Sequence, residues 1–370
     1  MDWNLFHTLL SFDSTSGKER KVAEWLLQTL EAPDKKAMEV GDGTLNLLFS
    51  WGSPKVVFCS HLDTVPPYIP PVFSQDLLPE ILPPEELRSL RSLRPLPSTS
   101  STGPSPYPCP GVDMSSGGSI SGRGSCDAKG QVFAMYTACK ELEKEGYTDF
   151  GLLLLAGEET GSWGAKAFSK TGFTAPFLIV GEPTENKMVS ASKGTLSYDL
   201  KFTGEAFHSG YPQYGVSAVD LFNEFYNRLK AQDWGVDPEL GETTWNVGLL
   251  HSDNPQNILS AQLTCRLYFR TTFVSHEAVQ LWMQAIPEAT LRAPGDTPAH
   301  YVTLPGFEAG PVAFGSDAPH LTGFGHKIIC GPGSIRVAHR PEEHILVRDL
   351  ETAVEQYVRM ARFLQNIENQ

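Results

Sequence analysis

The sequence predicts an α/β protein, a sheet with helices over its faces, interrupted by a smaller α+β unit. Three observations predict it. Helices alternate with short apolar strands up to about Lys193, the order of elements then changes, and core-like segments return near Gly306. At 370 residues the chain exceeds the size at which one core stops growing, so two domains are expected, the second inserted into a discontinuous first.

Residues 3–10 and 18–30 read as helices; in the second, Val22, Trp25, Leu26 and Leu30 recur at helical spacing. Strands at 44–49 and 55–59 flank a turn of Gly52, Ser53 and Pro54. A helix at 131–144, a strand at 151–156, a helix at 164–170 and a strand at 176–180 follow. Between Tyr68 and Gly118 proline is dense and little can be buried, which marks an irregular excursion. The inserted unit reads as strands at 195–203, 243–250 and 257–269 with helices at 216–229 and 276–285. After the return, an apolar segment at 327–330 precedes a long amphipathic helix at 347–367, whose apolar face includes Leu350, Ala353, Val354, Tyr357 and Met360.

Hydrophobic residues at 41% and charged residues at 19% are ordinary for a soluble globular protein. No apolar run approaches the roughly 18 residues of a membrane span. The N-terminal stretch MDWNLFHTLLSFDSTSGKER lacks the basic segment and long apolar run of a secretory signal, so the cytoplasm is the expected compartment. A formal net charge of −14 opposes binding to nucleic acid backbones. Cys59, Cys109, Cys126, Cys139, Cys265 and Cys330 contain no CxxC pair, which argues against a disulfide framework or a zinc ribbon. Buried free thiols are expected.

The chemistry-bearing residues follow the apolar strands. His61 and Asp63 sit two apart just beyond a strand and point to one side; a carboxylate there can fix the tautomer of a metal-binding imidazole. The plain alternative is a histidine hydrogen-bonded at a strand end. Asp127, in the glycine-rich SGRGSCDAKG, is either a helix cap or a carboxylate whose two oxygens bridge cations. The strand before AGEET ends in adjacent Glu158 and Glu159, costly if both were buried unpaired, and a division into ligand and proton carrier resolves this. A partly exposed acidic turn is the competing reading. Glu182 follows a fourth apolar strand, and α/β folds gather their sites beyond strand carboxyl ends. One more histidine is needed, and spacing does not choose among His320, His326, His339 and His344.

Together HLDTVPP (61–67), GRGSCDAKG (122–130), AGEETGSWGA (156–165), GEPTE (181–185), TGEAFHSGYPQYGVSA (203–218), FGSDAPHL (314–321) and GPGSIRVAHRPEEHI (331–345) resemble the M20 metallopeptidases. That group includes acetylornithine deacetylase, succinyl-diaminopimelate desuccinylase, aminoacylase-1 and glutamate carboxypeptidase. The resemblance implies a mixed-sheet catalytic domain over 1–192 and 306–370, with an inserted dimerisation or lid domain over 193–305. It implies His61 and Glu182 on one divalent cation, Glu159 and His339 on another, Asp127 bridging, Asp63 behind His61, and Glu158 as catalytic base. His208 matches a histidine that acts on the partner's site in a homodimer. Asn257 and Arg270 match small-domain substrate-binding residues, although Tyr268 stands where the family often has Asp. Ser316 and Asp317 are further candidates for gripping the ends of an amino acid.

The expected cofactors are two zinc ions, with cobalt as the alternative. The expected reaction is removal of an acetyl or succinyl group from an amino acid, N-acetylornithine or N-succinylornithine first, as in arginine biosynthesis. Alternatives are an N-acetyl-lysine deacetylase, a succinyl-diaminopimelate desuccinylase, an M20 dipeptidase or carboxypeptidase, and a non-catalytic binding relative. Neither nucleic acid nor membrane is an expected partner.

Overall fold

Apolar runs become the buried strands of this fold, and the computed structural model describes it for residues 1–74, 77, 118–293 and 295–368. Apart from Leu77, the proline-rich stretch from 75 to 110, with Cys109, lies outside the described residues. Helices Trp3–Ser11 (α1) and Arg20–Thr29 (α2) come first. Asp2 caps α1 by accepting the Leu5 N–H at 3.0 Å, and Trp3, Phe6, Leu9 and Leu10 form its buried stripe. Strands Asp34–Val40 (β1), Thr44–Trp51 (β2) and Val56–His61 (β3) lead to helix Lys129–Lys144 (α3). Strand Phe150–Leu155 (β4), helix Trp163–Ser169 (α4) and strand Ala175–Val180 (β5) follow. Then come Gly194–Thr203 (β6), Ala218–Lys230 (α5), Thr244–His251 (β7), Gln262–Thr271 (β8), His276–Gln284 (α6) and Ala289–Ala293 (β9). Phe324–Ile329 (β10) and Val347–Glu368 (α7) complete the main elements.

Two compact units result: Met1–Val189 with Val302–Ala309 and Ser316–Gln370, and Ser190–Tyr301 with Gly310–Gly315. The first holds a mixed sheet in the order β1-β2-β4-β3-β5-β10. Strands β4, β3, β5 and β10 run parallel, while β2 is antiparallel to both of its neighbours. Every residue of β2, β3 and β4 is buried. Successive side chains point to opposite faces, so both faces of the sheet are covered. Helices α3 and α7 pack on each other and on β3, and α2 packs on β2. Tyr357 of α7 is fully buried, edge-on to Phe58 at 5.7 Å, and its hydroxyl donates to the Cys330 carbonyl at 2.9 Å.

The second unit is an antiparallel sheet in the order β7-β8-β6-β9, with α5 and α6 contributing to its core. Alternate residues Leu263, Cys265, Leu267 and Phe269 of β8 are buried with Phe202, Phe225, Leu229, Val279 and Met283.

The mixed α/β class matches the sequence reading, with two local corrections. Strand β1 was not expected, because DKKAMEV is an exposed, charged edge strand with little apolar signal. The strand expected over 257–269 begins only at Gln262. Before it, the Leu259 N–H donates to the Phe207 carbonyl and the Ser260 carbonyl accepts from Ala218, so this backbone is hydrogen-bonded outside the ladder. Among the described residues no helix is long and apolar enough to cross a membrane.

The turn that follows β4 depends on close approach. A Cβ on Gly157, at φ +70°, would collide with the Trp163 ring, and one on Gly164 would lie 2.1 Å from the Ala156 carbonyl oxygen. Asn46, buried on β2, holds both sides of this turn: its Nδ2 donates to Gly164 O at 2.8 Å and its Oδ1 accepts Ala156 N–H at 3.1 Å. Replacing it leaves two buried backbone groups unpaired, so Asn46→Ala should cost about 2–4 kcal/mol in urea unfolding. A loss under about 0.5 kcal/mol would contradict that role.

Glu19, at the start of α2, is buried, and no described side chain pairs with its carboxylate, which faces only the backbone N–H groups of Gly17, Glu19 and Gly157. Burial, reinforced by the Asp63 charge, raises its pKa from 4.5 to about 7. Between those values the folded chain keeps a proton that the unfolded chain has released, so this group's stabilising contribution is full below 4.5 and is lost as pH rises to about 7. Glu19→Gln should therefore match the wild type near pH 4. It should be more stable by about 1–3 kcal/mol above pH 7. Chemical denaturation of metal-free protein across that range checks the sign, and a Gln variant less stable at pH 8 than the wild type would contradict it.

Candidate metal centre

Parallel strands deliver acids and a histidine to one end of the first unit's sheet. His61 is the last residue of β3, Glu158 and Glu159 follow β4, and Glu182 follows β5. Asp127 comes from the glycine-rich loop ahead of α3, and His339, at φ +64°, from the loop ahead of α7. The Asp127–Ala128 peptide is cis.

Asp127 is the centre of the arrangement. Its Oδ1 lies 3.1 Å from His61 Nε2 and its Oδ2 lies 3.2 Å from His339 Nε2. His339 Nε2 is also 2.8 Å from Glu159 Oε1. Two donor sets share Asp127: His61, Asp127 and Glu182 in one, and Asp127, Glu159 and His339 in the other. In each set one ligand atom per residue lies within 4.8 Å of the others. Of the four histidines left open by spacing, His339 is the one brought to these carboxylates.

Asp63 reaches further than a partner of His61 alone. The His61 Nδ1 lies 3.0 Å from the Asp63 carbonyl oxygen and 3.4 Å from Asp63 Oδ1. That carboxylate also accepts the Glu158 N–H at 3.0 Å, the Glu159 N–H at 3.1 Å and the Ser16 hydroxyl at 2.8 Å. One buried side chain therefore fixes the backbone of both glutamates. Burial alone would raise its pKa, but the hydrogen bond and charge of His61, with Ser16 and the Glu158 N–H, hold it below the ordinary carboxylate value.

The electrostatics favour cations here. Burial raises the Glu182 carboxyl well above its ordinary range, and the charges of Glu158 and Asp127 push it further. Glu158 is raised likewise, by burial and by Asp317, Glu159 and Asp127. Asp317, nearly inaccessible, is raised to about 6 by burial, and its Oδ1 has no hydrogen-bond partner. Glu182 Oε1 is buried and unpartnered as well. An orphaned buried oxygen beside a carboxylate–imidazole set is satisfied by a divalent ion, and N/O donors without thiolate suit zinc or a similar metal. The residues fit the group.

Ser316 is buried, and its hydroxyl accepts the Ala318 N–H at 3.3 Å, which gives it a role in the local turn. The other expected residues belong to the second unit. His208 is exposed, bridges Ile258, and accepts the Gly210 N–H on Nδ1 at 3.0 Å. The Asn257 carbonyl accepts the Ser209 N–H at 2.9 Å, so His208 and Asn257 lie on adjoining segments. Arg270 lies on β8 with its guanidinium 5.0 Å from the Tyr268 ring centre, a contact that the Tyr in place of Asp makes available.

Sequence reasoning missed Glu343 and Arg123. Glu343 is buried, and its Oε1 accepts the N–H groups of Gly124 (2.9 Å), Cys126 (3.1 Å) and Asp127 (3.1 Å). Its Oε2 accepts from Arg123 Nη1 at 2.5 Å. The only sequence signal was a glycine-rich loop whose N–H groups need acceptors, and nothing there names an acceptor more than 200 residues away.

Residues 110–362 match the description Peptidase family M20/M25/M40. A probable carboxypeptidase of Talaromyces marneffei is 31% identical over 406 residues, covering 96% of this chain and 84% of that protein. Among solved structures, a tripeptidase from Staphylococcus aureus superposes with a TM-score of 0.74 at 18% identity, covering 98% of this chain and 97% of the other. A Bacillus subtilis protein described as a dinuclear metal binding peptidase from the M20 family superposes with a TM-score of 0.63 at 11% identity, covering 98% and 97%. With the family match spanning most of the chain, this protein belongs to peptidase family M20/M25/M40.

Proposed function

We propose that this chain is a zinc-type metallohydrolase that cleaves the amide bond of an amino acid bearing a free α-carboxylate, acting as a carboxypeptidase on short peptides. The observation that carries the reading is Asp127, with one oxygen toward His61 and the other toward His339, shared by two donor sets. His61 and Glu182 would hold one ion and Glu159 and His339 the other. Divalent cations bound there polarise a carbonyl and acidify water toward a pKa of about 7.

The chain's own groups supply the rest. Glu158 takes the proton of the attacking water and passes it to the departing amine; its raised pKa suits the second half of that cycle. Asp63 fixes Glu158 and Glu159 through their N–H groups, so base and ligand are set by one carboxylate. In this reading His208 donates to the developing oxyanion from a partner subunit, Asn257 and Arg270 are substrate-binding residues of the second unit, and Ser316 and Asp317 are substrate-binding candidates of the first. A homodimer through the second unit is part of the proposal. Strand β7 is an edge strand among the described residues, and Leu249, Leu250 and, on α5, Val219 are exposed apolar residues.

The name of the Talaromyces relative favours carboxypeptidase action over the narrower N-acetylornithine reading. A deacylase remains the second reading, carried by the HLDTVPP likeness, and it releases the same kind of amine: an amino acid with a free carboxylate. Zinc- or cobalt-loaded protein should hydrolyse N-blocked dipeptides and lose activity when their C-terminus is amidated. Faster turnover of N-acetylornithine or N-succinylornithine than of every peptide would favour the deacylase, and no hydrolysis in the panel would defeat both readings. Glu158→Gln should lower kcat by about 10²–10⁴-fold while metal content stays at the wild-type level. Metal loss in that variant would contradict the separation of base from ligands.

A further inference from the structure

The acceptor of the Asp127 loop lies on the same segment as His339. Glu343 follows His339 by four residues, and this segment continues into strand His344–Leu346, which pairs antiparallel with Ser119–Ser121. Between that pairing and Asp127 runs a loop with Gly122 at φ +133° and Gly124 at φ +84°, conformations that glycine adopts without strain. Glu343 takes three of those N–H groups on one oxygen, and its backbone carbonyl takes a fourth, from Gly122 at 3.0 Å. Arg123 faces the other carboxylate oxygen, and its remaining bonds run to the carbonyls of Pro67 (3.2 Å) and Arg340 (3.4 Å). Both side chains are almost fully buried. A carboxylate and a guanidinium are retained there only with every partner in place, since breaking such a pair leaves a buried charge uncompensated.

We propose that Glu343, locked by Arg123, is a positioning residue that sets the spacing between Asp127 and His339 and thereby the affinity for the cation held by Asp127, Glu159 and His339. Glu343 takes more of the bonds between the loop bearing the shared carboxylate and the segment bearing the histidine than any other side chain named here, beside the Arg123 bond to the Arg340 carbonyl, and it touches neither ligand's donor atoms. The inference rests on the metal-centre reading and names what tunes it.

The test is zinc binding measured by competition with a chromophoric chelator, together with thermal unfolding of the metal-free protein. Glu343→Gln keeps one acceptor oxygen but turns an amide N–H₂ toward Arg123. The metal-free variant should be folded, and one of the two zinc ions should bind about 10–100-fold more weakly, the loss typical of outer partners of metal ligands. His339→Ala should weaken the same ion, and excess zinc should restore turnover in Glu343→Gln but not in Glu158→Gln. A variant with lowered melting temperature but two ions bound at wild-type affinity would show a merely structural residue and overturn the proposal. Wild-type protein that binds no zinc would overturn the metal reading and this inference with it. If Glu343→Gln does not fold, Glu343→Asp and Arg123→Lys are measured in its place, with the same two results deciding.

Discussion

Repulsion among buried carboxylates is the constraint around which the first unit is arranged. Asp127, Glu158, Glu159, Glu182 and Asp317 share one end of the sheet with His61 and His339, and burial raises Glu158, Glu182 and Asp317 above their ordinary values. Two imidazoles cannot neutralise so many acids, and unpartnered oxygens remain on Glu182 and Asp317. Divalent cations held there would relieve that repulsion, while the protein's part is to hold the acids in place against it. It does so with backbone N–H groups: Asp63 takes those of Glu158 and Glu159, and Glu343 takes those of Gly124, Cys126 and Asp127.

This division explains why the strands are so thoroughly buried. Strands β2, β3 and β4 are buried along their whole length, which gives the acids at their ends a rigid support. The turn after β4 is set by the close approach of Gly164 to Ala156 and by the bracing amide of Asn46. Fold and site are therefore joined through a few short polar contacts at the sheet's edge of burial.

Much of this was legible in the sequence. The buried strands were readable because their stretches are short and dominated by apolar residues, and His61, Glu158, Glu159 and Glu182 were readable because each follows such a stretch. Strand β1 was hidden by its charged, exposed composition. His339 follows no strand and sits on a loop at positive φ, so spacing left it among four candidates and only the family resemblance singled it out. Glu343 and Arg123 were invisible for a different reason: their importance lies in contacts across more than 200 positions, which no local pattern carries.

The proposed centre calls for two cations flanking one shared carboxylate, Asp127. Anomalous X-ray scattering at the zinc edge, from crystals of zinc-loaded protein, tests it most directly. Two peaks are predicted on either side of Asp127, one in contact with His61 and Glu182 and the other with Glu159 and His339. A zinc-loaded crystal with no peak touching Asp127, or with zinc bound only elsewhere, would contradict the account.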